Sequence, residues 1–289
     1  LVDVSHISPC YEYAEKQEGE SSYEYGQRVA QELEDEILRL GPETVMAFLG
    51  EPVVGATSGA VPAVEGYFRR IREICNQYGV LLILDEVMCG MGRTGHLFAC
   101  DADGIAPDIV CIAKGLGAGY QPVGAMFCTK QIYEAIENGS GFFQHGHTYL
   151  GHPVATAAGL AVVRAILKRD LLPHVRDMGE KLQSALKMKF AEHPHIGDIR
   201  GRGLFCGVEL VKDRKTKAPF DPSNGLAGKI KKAAFAAGLI CYPMSGTRDG
   251  KLGDHVLLAP PFILGDEHID EVVAKLSGAV ESTLATTTD

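Results

Sequence analysis

Two unbroken apolar runs, each ending on an ionisable side chain, limit how this chain can fold. Val80-Leu-Leu-Ile-Leu84 runs into Asp85-Glu86. Asp108-Ile-Val-Cys-Ile-Ala113 runs into Lys114 and then Gly115-Leu-Gly-Ala-Gly119. Apolar runs this short, with no polar alternation, predict strands covered on both faces of a parallel sheet. Ligands of such sheets bind outside the carboxyl ends of the strands. An acid and a lysine at two such ends are therefore placed for chemistry.

The surrounding pattern supplies the helices that such a sheet needs. Ser21-x-x-Glu24 reads as a capping box, with Val29, Leu33, Ile37 and Leu40 at helical spacing and Gly41-Pro42 as the stop. Val45–Leu49 predicts a short strand. Gly55 to Pro62 predicts a loop. Tyr67, Ile71, Ile74 and Tyr78 predict a helix closed by Gly79. Helix and strand then alternate, the order of a parallel α/β sheet. Pro122–Cys128 predicts a third strand, and Ala155–Leu167 a helix. Beyond about residue 170 the elements are shorter and mixed: a strand-like run over 199–211, a helix over 225–238, short strands at 239–242 and 255–258, and a terminal amphipathic helix. The expectation is a large α/β domain over 1–170, a mostly parallel sheet with helices on both faces. A smaller α+β domain follows over 171–289.

The net charge of -9 argues against a nucleic-acid surface. No apolar run reaches membrane-spanning length, and no signal peptide is visible. The eight cysteines show no CxxC pair, which predicts free thiols in a reducing, cytoplasmic setting.

A lysine that attacks an aldehyde must be partly neutral, and an apolar strand end favours the neutral form. Lys114 fits a Schiff-base lysine on that ground, and a snorkelling surface lysine equally in kind. Asp85 fits a carboxylate that holds a ring nitrogen, or a helix cap or ion-pair partner. The glycine runs match neither GxGxxG nor GxxxxGK[ST], which argues against nucleotide chemistry. His145, His147 and His152 lack convincing metal-ligand spacing, so no metal is expected.

Several motifs then fall in one order: Glu51-Pro52, Asp85-Glu-Val-Met-Cys-Gly-Met-Gly-Arg-Thr-Gly95, Pro107 to Leu116, His145-Gly-His-Thr-Tyr149 with Gly151-His-Pro153, Ile199-Arg-Gly-Arg-Gly-Leu204, and Leu257-Leu-Ala-Pro-Pro261. This closely resembles the class III, pyridoxal-phosphate-dependent aminotransferases of fold type I. The resemblance implies that Lys114 forms the Schiff base with pyridoxal 5'-phosphate and serves as base and acid. It implies that Asp85 pairs with the ring nitrogen, that Val87 packs on the ring, and that Glu51 supports the pocket floor. Thr148 would donate to the cofactor phosphate across a subunit boundary, making the active unit a homodimer. Arg200 would fork a substrate carboxylate; a domain-interface ion pair is its other reading. For Val87 a plain core role is compatible with ring packing.

The implied reaction is ping-pong transfer of an amino group from an amine or amino acid to an oxo acid. The same Lys and Asp would also serve a racemase, aminomutase or decarboxylase, and a truncated non-catalytic homologue is the third alternative. Ala56 and Met88 stand where ornithine- and GABA-type members carry glutamate and glutamine. Both changes lean toward the amine or ω-amino-acid:oxo-acid subgroup. The family's upstream segment, with its phosphate cup and ring-stacking aromatic, is expected to be missing.

Overall fold

A computed structural model describes residues 2–287. Two compact units emerge. The first holds the chain up to Pro52, Ala63–Gly92 and His96–Arg169. The second holds Val53–Pro62, Arg93–Gly95 and the chain from Asp170. The division is therefore not a single cut near residue 170: two short excursions leave the first stretch and belong with the second unit.

In chain order, α1 (Glu12–Glu15) and α2 (Ser22–Leu40) precede β1 (Ala47–Gly50). The strands β2 (Val53–Val54) and β3 (Val61–Pro62) follow, then α3 (Tyr67–Tyr78) and β4 (Leu81–Asp85). Next come β5 (Ile109–Ile112), β6 (Ala125–Cys128), α4 (Lys130–Asn138) and α5 (Pro153–Lys168). The remainder is α6 (Leu171–Lys189), β7 (Ile196–Arg202), β8 (Phe205–Leu210), α7 (Leu226–Ala236), β9 (Tyr242–Ser245), β10 (Asp254–Leu258) and α8 (Asp266–Leu284).

The local signals at the first helices act as predicted. Ser21 Oγ accepts the Glu24 N–H at 3.2 Å, and the Glu24 carboxylate accepts the Ser21 N–H at 2.9 Å. That reciprocal pair satisfies two donors that a helix start leaves free. Gly79 closes α3 at φ 67, a left-handed cap that glycine adopts without a steric penalty. Tyr25, Val29, Leu33 and Ile37 of α2 and Phe68, Ile71 and Ile74 of α3 pack with Leu82 and Leu84 of β4 in one core.

The sheet of the first unit has the order β1-β4-β5-β6. The first two pairings are parallel and β6 is antiparallel to β5. Burial along β4 alternates: Leu82 and Leu84 are sealed, while Leu81, Ile83 and Asp85 are half-buried. The packing of α2 and α3 on the Leu82/Leu84 side accounts for this. The 55–62 stretch, predicted as a plain loop, ends in β3, which pairs antiparallel with β2 just ahead of it.

The second unit has an antiparallel sheet, β7-β8-β10-β9. Ile199, Val208, Val256 and Leu258 join Leu182 and Leu186 of α6, Ile230 of α7 and Leu276 and Val280 of α8 in its core. The single strand-like run expected over 199–211 is a hairpin. Gly203, at φ 54, makes the turn, and a Cβ there would lie 2.7 Å from the Thr94 carbonyl carbon. The strand expected at 239–242 starts only at Tyr242, after a left-handed turn at Gly238 (φ 77).

Candidate active site

The register of β4 and β5 builds the site. Ile83 pairs with Ile109, Leu84 with Val110 and Asp85 with Cys111. The start of β5 is fixed by Asp108, whose Oδ2 accepts the Leu82 N–H and Arg72 Nη1, both at 2.7 Å. The Glu86 N–H continues the ladder to the Cys111 carbonyl at 2.9 Å. Asp85 thus closes one parallel strand while its neighbour runs on toward Lys114.

β5 stops at Ile112, and Lys114 opens a 3-10 turn, Lys114–Leu116. The Gly117 and Ala118 N–H groups both reach the Lys114 carbonyl, at 3.1 and 3.0 Å. Lys114 sits at φ +39, a left-handed conformation that disfavours a side chain with a Cβ. Such strain gathers at functional sites. The turn carries Lys114 out of the sheet, so its side chain is exposed rather than desolvated. The glycines on either side let the segments close up: a Cβ on Gly115 would lie 3.1 Å from the Met91 Cβ.

The Asp85 Oδ1 accepts the Val87 N–H at 2.9 Å. Val87 and Met88 are half-buried. Glu51 follows β1, whose last residue Gly50 pairs with Leu84 of β4. That puts Glu51 at the level of Asp85 along the sheet. Thr148 is exposed on the turn before α5. His152 caps α5, its Nδ1 accepting the Val154 and Ala155 N–H groups at 3.2 and 3.4 Å. Among the described residues no group of three or more His, Cys, Asp or Glu is placed to hold a metal ion. None of their helices is long and apolar enough to cross a membrane.

Arg200 lies in the second unit and is only 8% exposed. Its Nη1 bonds Glu209 Oε2 at 2.5 Å and Asp198 Oδ2 at 3.1 Å, and its Nε donates to the Gly59 carbonyl at 3.0 Å. Glu209 is 1% exposed. His255, the register partner of Glu209 across β8 and β10, is fully buried. Its Nδ1 lies 2.8 Å from Thr247 Oγ1. Burial, with Arg200 nearby, pushes the His255 imidazole down to about 4.

Two polar groups beside Asp85 had no signal of their own in the sequence. Glu86 is fully buried, and burial raises its carboxyl above the ordinary range. Cys111 is half-buried beside Asp85; burial, and then the Asp85 charge, raise its thiol. The Asp-Glu pair alone does not tell which carboxylate is interior. Strand alternation from Leu84 onward is the one pattern that marks Glu86 as inward.

The Aminotransferase class-III family pattern matches residues 2–280. An uncharacterised aminotransferase of Schizosaccharomyces pombe is 48% identical over 283 residues, covering 98% of this chain and 61% of that protein. An aminotransferase of Gibberella zeae is 45% identical over 279 residues, covering 96% of this chain and 55% of that one. A thermostable (S)-enantioselective omega-transaminase from Thermomicrobium roseum superposes with a TM-score of 0.89 at 37% identity, covering 97% of this chain and 60% of that chain. The chain thus spans little more than half the length of the relatives it matches. With its sheet order, its two strand-end residues and this agreement along nearly the whole sequence, the chain belongs to the class III aminotransferases, of fold type I.

Proposed function

We propose that the protein is a pyridoxal-phosphate-dependent transaminase, passing an amino group from an amine or amino acid to an oxo acid. One observation carries the reading: Asp85 and Lys114 leave the carboxyl ends of adjacent parallel strands. The residues fit the cofactor. An amine suits its aldehyde, a carboxylate suits its ring nitrogen, and Gly115, Gly117 and Gly119 leave room for backbone approach. When bound, the pyridoxal ring supplies the electron sink.

The chain's own residues supply the rest. Asp85 holds the proton of the ring nitrogen, with Oδ1 pinned by the Val87 N–H. Val87 packs against the ring and Glu51 supports the pocket floor. Lys114 would hold the cofactor through its Nζ, an amine that condenses with an aldehyde with loss of water. As a free amine Lys114 would serve as the general base that takes the proton from the donor's amine-bearing carbon and as the general acid that hands one back within the same half-reaction. The likeness to an omega-transaminase supports amine or ω-amino-acid donors.

The test is the visible spectrum of purified protein with added pyridoxal phosphate. A band that Lys114→Ala and hydride reduction both remove supports the reading; no band in the wild type sinks it.

The active unit is a homodimer in this proposal, with Thr148 donating to the cofactor phosphate of the other subunit. Exposed Tyr149, Leu150, Val154 and Leu160 beside it suit burial against a second copy. Mixing inactive Lys114→Ala and Thr148→Ala proteins should then restore activity, because one site in the mixed dimer is intact. Eight free cysteines among the described residues support a reducing, cytoplasmic location.

For Arg200 a second reading is favoured. Two carboxylates and the Ser58 and Gly59 carbonyls already engage its guanidinium. It then anchors the 58–59 turn to β7 rather than receiving the substrate carboxylate.

A further inference from the structure

We propose that Glu86 is the positioning residue for Asp85: its buried carboxylate closes the stem of the loop that follows Asp85 and so fixes how Asp85 is presented. The inference rests on the reading of Asp85 as the partner of the ring nitrogen.

Glu86 is held from three directions. Its N–H donates to the Cys111 carbonyl at 2.9 Å, tying it to β5. Its carbonyl accepts the Gly90 N–H at 2.9 Å, closing the turn that contains Val87. Its carboxylate reaches across the loop: Oε2 accepts the Ala99 N–H at 2.6 Å and Oε1 the Cys100 N–H at 2.9 Å. Those amides open the 3-10 turn Ala99–Asp103. The same carboxylate, after burial, helps to raise the Cys100 thiol.

No cation pairs with Glu86 among the described residues. A buried carboxylate without a counter-ion persists only where N–H donors compensate for lost water. The two backbone amides are those donors. Steric fit points the same way: a Cβ on Gly90 would lie 2.8 Å from both the Glu86 carbonyl oxygen and Oε2. The turn is shaped around this side chain.

The consequence runs through one bond. Closing the 86–90 turn sets the direction of the Val87 N–H, and that N–H holds Asp85 Oδ1 at 2.9 Å. Asp85 is thereby fixed as an acceptor with its second oxygen left to face a ring N–H. Glu86 touches no reacting atom in this account; it acts through the turn.

The experiment titrates the full chain with pyridoxal phosphate and reads the visible band, its pH midpoint and amide hydrogen exchange. The proteins are the wild type, Asp85→Asn, Glu86→Gln and Glu86→Asp. Glu86→Gln replaces one acceptor by a donor, so one of the two amides loses its partner. Expected are cofactor binding weaker on the order of tenfold and a pH midpoint displaced in the same sense as in Asp85→Asn. Exchange should also be faster at Val87, Ala99 and Cys100, and Glu86→Asp should recover part of the midpoint shift. Faster exchange at Ala99 and Cys100 with wild-type binding and midpoint would reduce Glu86 to a local staple and overturn the proposal. A wild-type midpoint in Asp85→Asn removes the underlying reading of Asp85 and the proposal with it.

Discussion

Cys111 is the register partner of Asp85 across the parallel strands β4 and β5, so the thiol and the carboxylate share one face of the sheet. Burial is the main reason its thiol is raised, and the Asp85 charge adds to it. Removing that charge in Asp85→Asn should raise the thiolate fraction at Cys111. Alkylation by iodoacetamide at pH 8 should speed up there by a few-fold, since each pKa unit is about tenfold in thiolate at that pH. Peptide mass spectrometry reads the site, with exposed Cys128 as internal control. An unchanged or slower rate at Cys111 would mean that the two groups are not electrostatically coupled.

The left-handed backbone at Lys114 makes a prediction that is independent of chemistry. Ordinarily glycine is less stable than alanine at a given position by about 0.5–1 kcal/mol. At φ +39 an alanine keeps a steric conflict of about 1–2 kcal/mol that glycine lacks. Lys114→Gly should therefore match or exceed Lys114→Ala in urea unfolding. A Lys114→Gly protein less stable by about 1 kcal/mol would show that the turn relaxes.

Breaking the Arg200–Glu209 pair should be severe, because both side chains are buried. Glu209→Ala or Arg200→Ala should each cost up to about 3–5 kcal/mol, the range for breaking a buried pair, reduced by Asp198, which still pairs with Arg200 at 3.1 Å, and by Arg248, 4.0 Å from Glu209. The double variant should cost less than the sum. Under the anchor reading, Arg200→Ala should weaken carboxylate-bearing and simple amine donors alike. Selective loss of carboxylate donors would restore the substrate-binding role.

His255 predicts an acid limb in stability. Its pKa falls from 6.5 to about 4 on folding. The unfolded chain therefore binds the proton first as pH drops. The contribution is complete above about pH 6.5 and is lost as pH falls toward 4. At about 1.4 kcal/mol per pKa unit, the loss is on the order of 3 kcal/mol. Thermal melts from pH 7 to 4 should show it, and His255→Gln should flatten that limb. A His255→Gln protein with the wild-type limb would assign the effect to other groups.

Legibility from sequence followed the range of the interaction. Ser21, Glu24, Gly41 and Gly79 act on residues within four positions, and the helices they bound lie where their pattern places them. The strand ends near Asp85 and Lys114 were also legible, because an apolar run that ends on a charge marks a strand end: β4 stops at Asp85, and β5 stops at Ile112, two residues before Lys114. Strand partners across long separations were not. Nothing near Arg200 announces Glu209, since their meeting depends on a hairpin turn at Gly203. Leu40 keeps the helical spacing of Val29, Leu33 and Ile37 yet is exposed, because α2 ends there. The interior place of Glu86 follows from the Ala99 and Cys100 amides, more than ten residues away.

The path of the chain between its two units has a consequence for how the gene can be divided. The polypeptide changes unit after Pro52, Pro62, Gly92, Gly95 and Arg169. A split after Arg169 would separate Arg200 from the Ser58 and Gly59 carbonyls that it binds. It would also separate Leu204 and Pro260 from Arg93, whose Nη1 donates to both of their carbonyls. Recombination at that boundary would therefore transplant neither half intact. A chimera that exchanges the second unit with a relative must carry 53–62 and 93–95 along with the carboxyl-terminal portion, three separate inserts inherited as one.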